Sequence, residues 1–392
     1  MMLVQLISVV LVVLAGGSAT WAAQSATSAA PSLSLQDVVD QARLDAKVPG
    51  LVVALRQPGG ELVALASGVA NLQQNVPVKP DDCFPVGSIT KMFTSVIVLQ
   101  LAEQGKLSLD DPLSKYQPQF PGGQAITLRM LLNHTSGIWD YADMRLPIEL
   151  VPLVAAQTYS PQEIIDYVGQ QPLYFAPGAG FHYSNSNYIL LGKIIEQVTG
   201  STYAQQLHQR IIDKLGLTRT YFAGFDQLPA SEMHGYALAR GQYRDRTAWE
   251  NPSLAWAAGS LISNAQDLTR FITALFSGQL LKPGSLALMQ QGVPVESGGT
   301  YGLGLTMFDL PGGRAFGHSG ETLSFSTELY YQPDTGMVLV VLANLAFCPT
   351  QTVARDILSF VQHTGTEPGS DGLPNRPSRE QQGTPSWAIG GN

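Results

Sequence analysis

Apolar positions at both ends of the chain follow the pattern of β-strands. Residues 51–57 and 61–67 form two mostly apolar runs separated by Pro58-Gly59-Gly60, which predicts a β-hairpin. The last two of the later strand-like runs are joined by Pro333-Asp334-Thr335-Gly336, a sequence typical of a turn. These later runs begin at Tyr301, Arg314, Thr327 and Met337. One sheet assembled from both ends of the chain is therefore expected.

The middle of the chain has a helical pattern. Ser160-Pro161-Gln162-Glu163 predicts a capping box with proline in the first helical position, and Ser263 to Gln266 predicts a second one. Helices are also predicted over 35–46 and 352–362, where apolar residues recur on a helical period. Together the elements predict a mixed α/β fold. Its sheet would come from about 50–70 and 300–345, and a mostly helical insertion would span about 88–290. A cleft at their junction is the expected place for a site.

The two terminal segments depart from this pattern. No Asp, Glu, Lys or Arg precedes Asp37, and small residues follow a mostly apolar run over 3–15. Residues 1–23 are therefore predicted to be a signal peptide of a secreted or periplasmic protein, with a retained membrane anchor as the alternative. Residues 364–392 are rich in Gly and Pro without periodicity and predict a disordered tail. The folded domain is then about 35–363.

Composition and charge exclude several classes of protein. The formal net charge is −8 and the 22 Lys and Arg residues form no run, whereas nucleic-acid binding needs a clustered basic face. No spacing of metal ligands is evident, so neither a metal nor a cofactor is expected. Cys83 and Cys348 either pair in an oxidising compartment or remain free thiols. The expected partner is a small-molecule or peptide substrate, with a membrane involved only if the N-terminal segment is retained.

The most informative stretch is FPVGSITKMF, which contains Ser88 and Lys91. Residues i and i+3 lie on one face of a helix, so Lys91 can reach the Ser88 hydroxyl. The strongly apolar flanks predict a partly buried Lys91 with a lowered pKa. A basic group beside a serine is what nucleophilic catalysis requires. A helix-capping serine beside a solvated lysine would show the same spacing.

Two further motifs follow in order. Tyr183-Ser-Asn185 lies 95 residues after Ser88, in a Gly-rich approach to a helix predicted to start near Tyr188. A plain helix cap is the alternative there. His318-Ser319-Gly320 comes a further 135 residues along and is predicted to end a strand. His363-Thr-Gly has the same form but lies where the last helix gives way to the tail, so His318 is the candidate.

This ordered set resembles the serine β-lactamase and penicillin-binding protein group whose second motif is Tyr-x-Asn. The group includes class C β-lactamases, secreted D-Ala-D-Ala carboxypeptidases and β-lactamase-like esterases. The likeness extends to ITLRMLLNHTSGIWDY from Ile126, the PGAGFHYSN loop, WAAGSLISNAQDL from Trp256 and the YGLGL stretch. It covers nearly all of 35–363. The resemblance implies a β-lactamase/transpeptidase-like antiparallel sheet with flanking helices.

The resemblance also implies a role for each motif residue. Ser88 would be the nucleophile that forms an acyl-enzyme. Lys91 and Tyr183 would share the proton transfers, and which of them is the base in acylation stays open. Asn185 would bind a substrate amide carbonyl and steady Lys91. The oxyanion hole would consist of the backbone N–H groups of Ser88 and Glu321, with the Glu321 side chain near the cleft.

Other residues are implied on the substrate side of the site. His318, Ser319 and Gly320 would bind substrate. His134, in LLNHTSG, is interpreted as structural, because no acidic partner for a Ser-His-Asp triad is evident and Gly-x-Ser-x-Gly does not occur. The candidate apolar walls, for which core packing is the alternative, are Trp139, Tyr141 and Trp256.

Two departures from the group bear on the substrate. Many β-lactamases have lysine where this chain has His318. Secreted carboxypeptidases would present an arginine where it has Thr306, and the next arginine is Arg314. The expected function is an exported serine hydrolase of the D-Ala-D-Ala carboxypeptidase or penicillin-binding type, acting on cell-wall peptides or β-lactams. An esterase or class C β-lactamase is the alternative. A non-catalytic binder of cell-wall fragments or β-lactams is the alternative from another class.

Overall fold

The computed structural model describes residues 33–144, 150–296 and 298–364. The predicted signal peptide, residues 1–23, and all of the predicted tail beyond Thr364 lie outside these residues. Within them, every helix is too short or too polar to cross a membrane.

A nine-stranded antiparallel sheet forms the frame of the molecule, in the order β3-β2-β1-β14-β13-β12-β11-β10-β9. Two smaller sheets, β4-β8-β5 and β6-β7, lie in the middle of the chain. The strands are β1 Gly50–Arg56, β2 Leu62–Asn71, β3 Val76–Pro77, β4 Phe84–Pro85, β5 Tyr221–Phe222, β6 Tyr236–Ala239, β7 Gln242–Asp245, β8 Leu261–Ser263, β9 Val293–Pro294, β10 Thr300–Tyr301, β11 Thr306–Leu310, β12 Gly313–Glu321, β13 Ser326–Gln332 and β14 Met337–Ala343.

Helices cover both faces of this sheet. They are α1 Leu35–Asp45, α2 Thr90–Glu103, α3 Leu128–Leu132, α4 Val151–Ala155, α5 Pro161–Val168, α6 Asn185–Thr199, α7 Tyr203–Leu207, α8 Asp213–Leu215, α9 Pro252–Gly259, α10 Ala265–Phe276, α11 Pro283–Met289 and α12 Thr350–Thr364. Helices α1 and α12, from the two ends of the described chain, pack on one face, and α10 packs on the other. Strand β14 is apolar and buried at every position because it is covered on both sides.

The predicted fold class is therefore confirmed: strands from both ends of the chain form one antiparallel sheet, and the middle of the chain is a mostly helical insertion. Strand β1 joins the two ends, since Leu51 pairs with Ser67 on one side and with Ala343 on the other. The short strands β3 to β9, of which β5 to β8 lie inside the insertion, were not predicted from the sequence.

Local details differ from the prediction at two places. The capping box at Ser160 is present, but the second cap is Asn264, which accepts the Asp267 N–H at 2.9 Å. Ser263 is not a cap because it belongs to β8. The stretch from Tyr301 is not one strand, since a loop separates β10 from β11 at Gly304, whose φ is 72°. Strand β12 ends at Glu321, directly after the His318-Ser319-Gly320 motif, so the motif ends a strand as predicted.

Candidate active site

Ser88 lies in a tight turn that is fixed from two sides. The turn is a 3-10 segment, Gly87–Ile89, that leads from β4 into α2. Val86 N–H donates to the Leu261 carbonyl of β8 at 2.9 Å, which holds the turn on the helical insertion. Gly87 has a φ of 52°, and a Cβ there would lie 2.8 Å from the backbone nitrogen of Glu321. Only glycine fits this conformation and this approach, so the Ser88 turn lies directly against the end of β12.

Lys91 is fully buried one turn along from Ser88. Its Nζ lies 2.8 Å from Ser88 Oγ and donates to Asn185 Oδ1 at 2.7 Å and to the Ala258 carbonyl at 2.8 Å. The Ala258 carbonyl belongs to the last turn of α9, where carbonyl groups have no partner within the helix. Helix α9 is kinked at Trp256, whose φ is 34°. Three elements that are distant in sequence thus converge on one amine.

Burial changes the proton affinity of Lys91. Removal of the ammonium from water lowers its pKa to about 7, while the negative charge of Asp140 acts in the opposite direction. The prediction that apolar flanks bury Lys91 and lower its pKa is therefore confirmed. The lowered pKa favours the free amine of Lys91, which is the form that can accept a proton.

Asn185 connects Lys91 to a buried carboxylate that the sequence analysis missed. It is the first residue of α6, which starts there and not near Tyr188 as predicted. Its Nδ2 donates to Asp140 Oδ2 at 3.0 Å, and Asp140 is only 4% exposed. Burial raises the pKa of Asp140 to about 6, with the Asp143 charge adding to the rise and Lys91 opposing it. Asp140 and Asp143 stand close together in the sequence, and no local signal marks Asp140 as the buried one.

The Tyr183 hydroxyl points into the same space. It is buried, and no described residue forms a hydrogen bond of normal geometry with it. The nearby Ser88 hydroxyl lowers the pKa of Tyr183, but burial dominates and holds it well above its usual value. The Lys91 ammonium lies 4.8 Å from the centre of the Tyr183 ring. Tyr183 is therefore a neutral phenol whose proton has no fixed acceptor in the protein.

His134 holds the segment that carries Tyr183. Its Nδ1 accepts the Ser184 N–H at 3.1 Å and lies 3.2 Å from Asn187 Nδ2, and its carbonyl accepts the His182 N–H at 3.0 Å. Burial, with a smaller effect of Lys91, keeps the His134 pKa well below its usual value. A neutral imidazole that accepts main-chain hydrogen bonds is the geometry of a structural histidine.

His318 lies beside Tyr183 but is engaged within the protein. Its Nε2 is 2.8 Å from the Tyr301 hydroxyl and its Nδ1 is 2.5 Å from the Ser319 carbonyl. Burial, together with the charge of Lys91, lowers the pKa of His318 to about 3. Its ring is therefore neutral, and both ring nitrogens have partners.

The rest of the third motif lies at the end of β12. A Cβ on Gly320 would be 1.9 Å from the Val86 carbonyl, so only glycine allows the strand to touch the Ser88 turn. Ser319 pairs with Glu328 across the sheet and shares a sheet face with it, so the Ser319 hydroxyl points away from His318. The Glu321 side chain was expected to lie near the cleft, but its carboxylate does not line it. It accepts hydrogen bonds from Ser326 Oγ at 2.8 Å and from the Phe347 N–H at 2.6 Å.

The three candidate wall residues have different surroundings. Trp139 is half-buried and packs edge-on against Tyr167 at 5.9 Å between ring centroids. The Tyr141 hydroxyl donates to the Leu254 carbonyl at 2.7 Å. Trp256 is also half-buried and packs against Tyr203 at 5.3 Å between ring centroids. Trp139 and Tyr141 both flank Asp140 and are half-buried, but the Tyr141 hydroxyl is bonded to α9.

The position where an arginine would bind a substrate carboxylate holds a neutral residue. Thr306 is half-buried on β11 and pairs with Gly317, next to His318. Arg314 lies four residues before His318, about 13 Å along β12, with its guanidinium 5.8 Å from the centre of the Phe316 ring. Among the charged groups of the described chain, Lys91 is the cation that acts on His318.

Neither a metal nor a disulfide contributes to the described structure. The described segments contain no group of three or more His, Cys, Asp or Glu side chains that could hold a metal ion. Cys83 and Cys348 are both free thiols, and burial raises the pKa of each, to about 11 for Cys83. Of the two alternatives for these cysteines, the structure contains the free thiols.

The fold and the Ser88–Lys91–Tyr183–Asn185 arrangement are those of a β-lactamase-fold serine hydrolase. The Beta-lactamase family model matches residues 35–361, and the chain belongs to this family. It is 29% identical over 307 residues to a penicillin-binding protein of Bacillus subtilis, covering 74% of this chain and 67% of the relative.

Two solved structures of the same fold are similar over nearly their whole length. The first is a D-stereospecific amidohydrolase from Streptomyces sp., with 32% identity and a TM-score of 0.74 over 81% of this chain and 97% of that one. The second is the D-amino acid amidase from Ochrobactrum anthropi, with 26% identity and a TM-score of 0.79 over 85% and 99%. The suspected family is thereby confirmed, and the protein is an enzyme, a serine hydrolase of this family.

Proposed function

We propose that the protein hydrolyses D-aminoacyl amides and esters through an acyl-Ser88 intermediate. The observation that carries the proposal is the set of three hydrogen-bond partners around Lys91 Nζ. Asn185 Oδ1 and the Ala258 carbonyl can only accept hydrogen bonds, whereas Ser88 Oγ can also donate. A neutral Lys91 therefore gives its two N–H bonds to the first two and keeps its lone pair for the Ser88 proton. This supports Lys91 as the base in acylation.

The acylation step then follows from the geometry. Ser88 Oγ attacks the substrate carbonyl carbon as its proton moves to Lys91, and the carbonyl becomes an oxyanion. The backbone N–H groups of Ser88 and Glu321 stabilise this charge, since the Ser88 turn lies against the end of β12. When the intermediate collapses, the bond to the leaving group breaks and Tyr183 donates its proton to the leaving nitrogen or oxygen. The ammonium of Lys91 restores the Tyr183 proton.

Deacylation uses the same groups in reverse. Water attacks the acyl carbon as its proton moves to the neutral Lys91. The ester bond to Ser88 then breaks as Tyr183 donates its proton to Ser88 Oγ, which gives a carboxylic acid and the serine hydroxyl, and the Lys91 ammonium restores the Tyr183 proton. Tyr183 acts as a proton donor and not as a phenolate in this scheme, because burial holds its pKa well above its usual value.

The substrate class follows from the charges around the site. A substrate with a free carboxylate on the leaving side needs a cation there, and His318 is neutral with both nitrogens occupied, while Thr306 is uncharged. A neutral amide or ester needs no such cation. The two solved structures named above are described as a D-stereospecific amidohydrolase and a D-amino acid amidase, which supports the same substrate class. Neutral substrates are therefore favoured over D-Ala-D-Ala peptides.

The test is a substrate panel with mass spectrometry. D-alanine and D-phenylalanine amides, their L-enantiomers, a D-Ala-D-Ala peptide and benzylpenicillin are compared for kcat/KM, and the intact mass is followed during turnover. We expect D-amides to be preferred and Ser88→Ala to lose at least about 10³-fold in kcat/KM with no acyl adduct. Ser95→Ala is the matched control, because Ser95 lies on α2, directly after the Ser88 turn, and its hydroxyl bonds Tyr188.

Three results would overturn separate parts of the proposal. Full turnover by Ser88→Ala would exclude the acyl-serine intermediate. Faster hydrolysis of the D-Ala-D-Ala peptide than of every amide would restore the carboxypeptidase expectation. A stable penicillin adduct without turnover of any substrate would support the non-catalytic binder.

A further inference from the structure

The buried carboxylate of Asp140 lies behind Asn185, on the side away from Lys91. We propose that Asp140 is a positioning residue, whose carboxylate fixes the orientation of the Asn185 amide and thereby the hydrogen bonds of Lys91. The inference rests on the proposed function only in the role that it gives to Lys91. Its geometry can be tested without any substrate.

The carboxylate of Asp140 is held by its own loop. Its Oδ1 accepts the Ala142 N–H at 3.1 Å, as the cap of a short 3-10 turn over Tyr141–Asp143. Its backbone N–H donates to the Tyr174 hydroxyl at 3.2 Å. The remaining oxygen, Oδ2, is 3.0 Å from Asn185 Nδ2. Asp140 is therefore fixed before it contacts Asn185, and its second oxygen has one partner.

An ionised carboxylate can only accept hydrogen bonds, and this property determines how Asn185 is turned. The amide must direct its NH₂ group toward Asp140, so its Oδ1 faces Lys91 at 2.7 Å. An amide turned by 180° would have almost the same shape, but it would direct N–H groups at Lys91. That arrangement would consume the lone pair that Lys91 needs for the Ser88 proton. Packing alone cannot distinguish the two orientations, whereas the charge of Asp140 does.

Asp140 also acts on the proton affinity of Lys91. It is the group that opposes the effect of burial on the Lys91 pKa, and Lys91 in turn opposes the rise in the Asp140 pKa. Two interacting sites titrate as a pair, so protons leave the Lys91–Asp140 pair in two steps. The other titratable groups that face the pair are Asp143, Tyr141 and Tyr174 beside Asp140, and His134, His318, Tyr183 and Tyr188 beside Lys91.

The test is the isosteric change Asp140→Asn, which keeps the shape and removes the charge. In the wild type, activity requires both protons to leave the pair, so log kcat/KM should rise with a slope of 2 below about pH 6. In Asp140→Asn we expect a slope of 1, with the acid limb moved to lower pH by about one pH unit. The plateau value of kcat/KM should be about 10- to 100-fold lower, because Asn185 is no longer held in one orientation.

The matched control is Asp143→Asn. Asp143 lies on the same turn and bonds the Tyr174 hydroxyl, but its side chain is 49% exposed and does not contact Asn185. We expect this variant to keep the slope of 2. A purely structural role for Asp140 would instead lower the denaturation midpoint and reduce activity equally at every pH, and that result would overturn the proposal.

A second measurement is independent of turnover. The Lys91 side chain is followed by ¹³C NMR in lysine-labelled protein, and its signal is assigned by its loss in Lys91→Ala. We expect the Lys91 titration to move to lower pH in Asp140→Asn and to stay in place in Asp143→Asn. An unchanged Lys91 titration in Asp140→Asn overturns the positioning role. A shifted titration in a protein that hydrolyses no substrate would leave it standing and would refute the proposed function alone.

Discussion

A single hydroxyl group shows how the site balances stability against chemistry. The Tyr183 hydroxyl is buried and has no hydrogen-bond partner of normal geometry among the described residues. A buried polar group without a partner destabilises a protein by about 1–3 kcal/mol. The neighbouring Tyr188 is its opposite, because its hydroxyl donates to the Leu132 carbonyl at 2.8 Å and contacts Ser95. The unpartnered hydroxyl is what a proton donor to a departing group requires.

The two tyrosines should therefore respond differently to loss of the hydroxyl. We expect Tyr183→Phe to keep or raise the free energy of unfolding, by up to about 1 kcal/mol, and to lower kcat/KM about 10²- to 10⁴-fold. Tyr188→Phe should lower the free energy of unfolding, because the Leu132 carbonyl loses its donor. Urea denaturation and steady-state kinetics measure both effects. A Tyr183→Phe variant as unstable as Tyr188→Phe would mean that its hydroxyl is bonded in the folded protein.

At this scale, the sequence identifies residues that lie in motifs and misses residues that act through them. Ser88, Lys91, Tyr183 and Asn185 were named from spacing and resemblance, and the structure brings all four together. Asp140 was passed over because nothing local distinguishes a buried carboxylate from a solvated one. Its partner, Asn185, is 45 residues away in sequence. Only the folded chain shows that the two side chains meet.

Secondary-structure elements were predictable where one pattern dominated. Strand β14 is an unbroken apolar run and helix α12 has a clear helical period, and both formed as predicted. The prediction of one strand from Tyr301 was wrong because the apolar residues there follow a strand pattern, whereas Gly304 must approach α2 closely. A Cβ at Gly304 would lie 2.1 Å from Ser95 Oγ. Strand β8 was missed because its three residues are too few to show a period, and its pairing with β4 is a long-range effect.

Strands β12 and β13 carry two buried acids behind the site. Glu328 accepts hydrogen bonds from the Tyr330 hydroxyl and from Thr350 Oγ1 at 2.7 Å. Burial raises the pKa of Glu328 to about 7 and that of Glu321 to about 8, and the charge of Glu328 adds to the rise for Glu321. Both folded-state values lie above those of the unfolded chain. Their contribution to stability is therefore present at low pH and is lost as pH rises through about 7 to 8.

Glu328→Gln should remove the Glu328 part of this pH dependence. Glutamine keeps one acceptor and supplies one donor, as a protonated carboxyl does, and it cannot ionise. Relative to the wild type, its free energy of unfolding should rise by roughly 3 kcal/mol between about pH 4.5 and pH 8, from the shift of the Glu328 pKa to about 7. Urea denaturation at several pH values measures this difference.

Glu163→Gln is the contrast: Ser160 lowers the Glu163 pKa, so this variant should lose stability as pH rises. A pH-independent difference for Glu328→Gln would contradict the expectation.

In the whole molecule, the site exists only where the sheet and the insertion meet. Ser88, Lys91 and Asn185 come from the insertion, whereas Gly320 and Glu321 come from the sheet. The two parts share one apolar core, in which Val52 and Val340 of the sheet and Phe93 and Leu268 of the insertion belong to the same cluster of buried residues. Asn344, which follows β14, connects this strand to β1 and β2. It accepts the Gly50 N–H at 2.6 Å and donates to the Val69 carbonyl at 3.1 Å.

A shared core predicts that the sheet and the insertion unfold together. Three Trp residues, Trp139, Trp249 and Trp256, lie in the insertion and report on it by fluorescence, while hydrogen exchange of β1 and β14 amides reports on the sheet. We expect both probes to give one midpoint in urea.

Asn344→Ala, in the sheet, should lower the free energy of unfolding by about 1–3 kcal/mol for both probes equally. Asn251→Ala, which removes a bond to the Gln157 carbonyl inside the insertion, should also shift both probes together. If Asn251→Ala moved the fluorescence midpoint and left the β1 and β14 amides unchanged, the insertion would be a separate folding unit, and the site would be lost before the sheet unfolds.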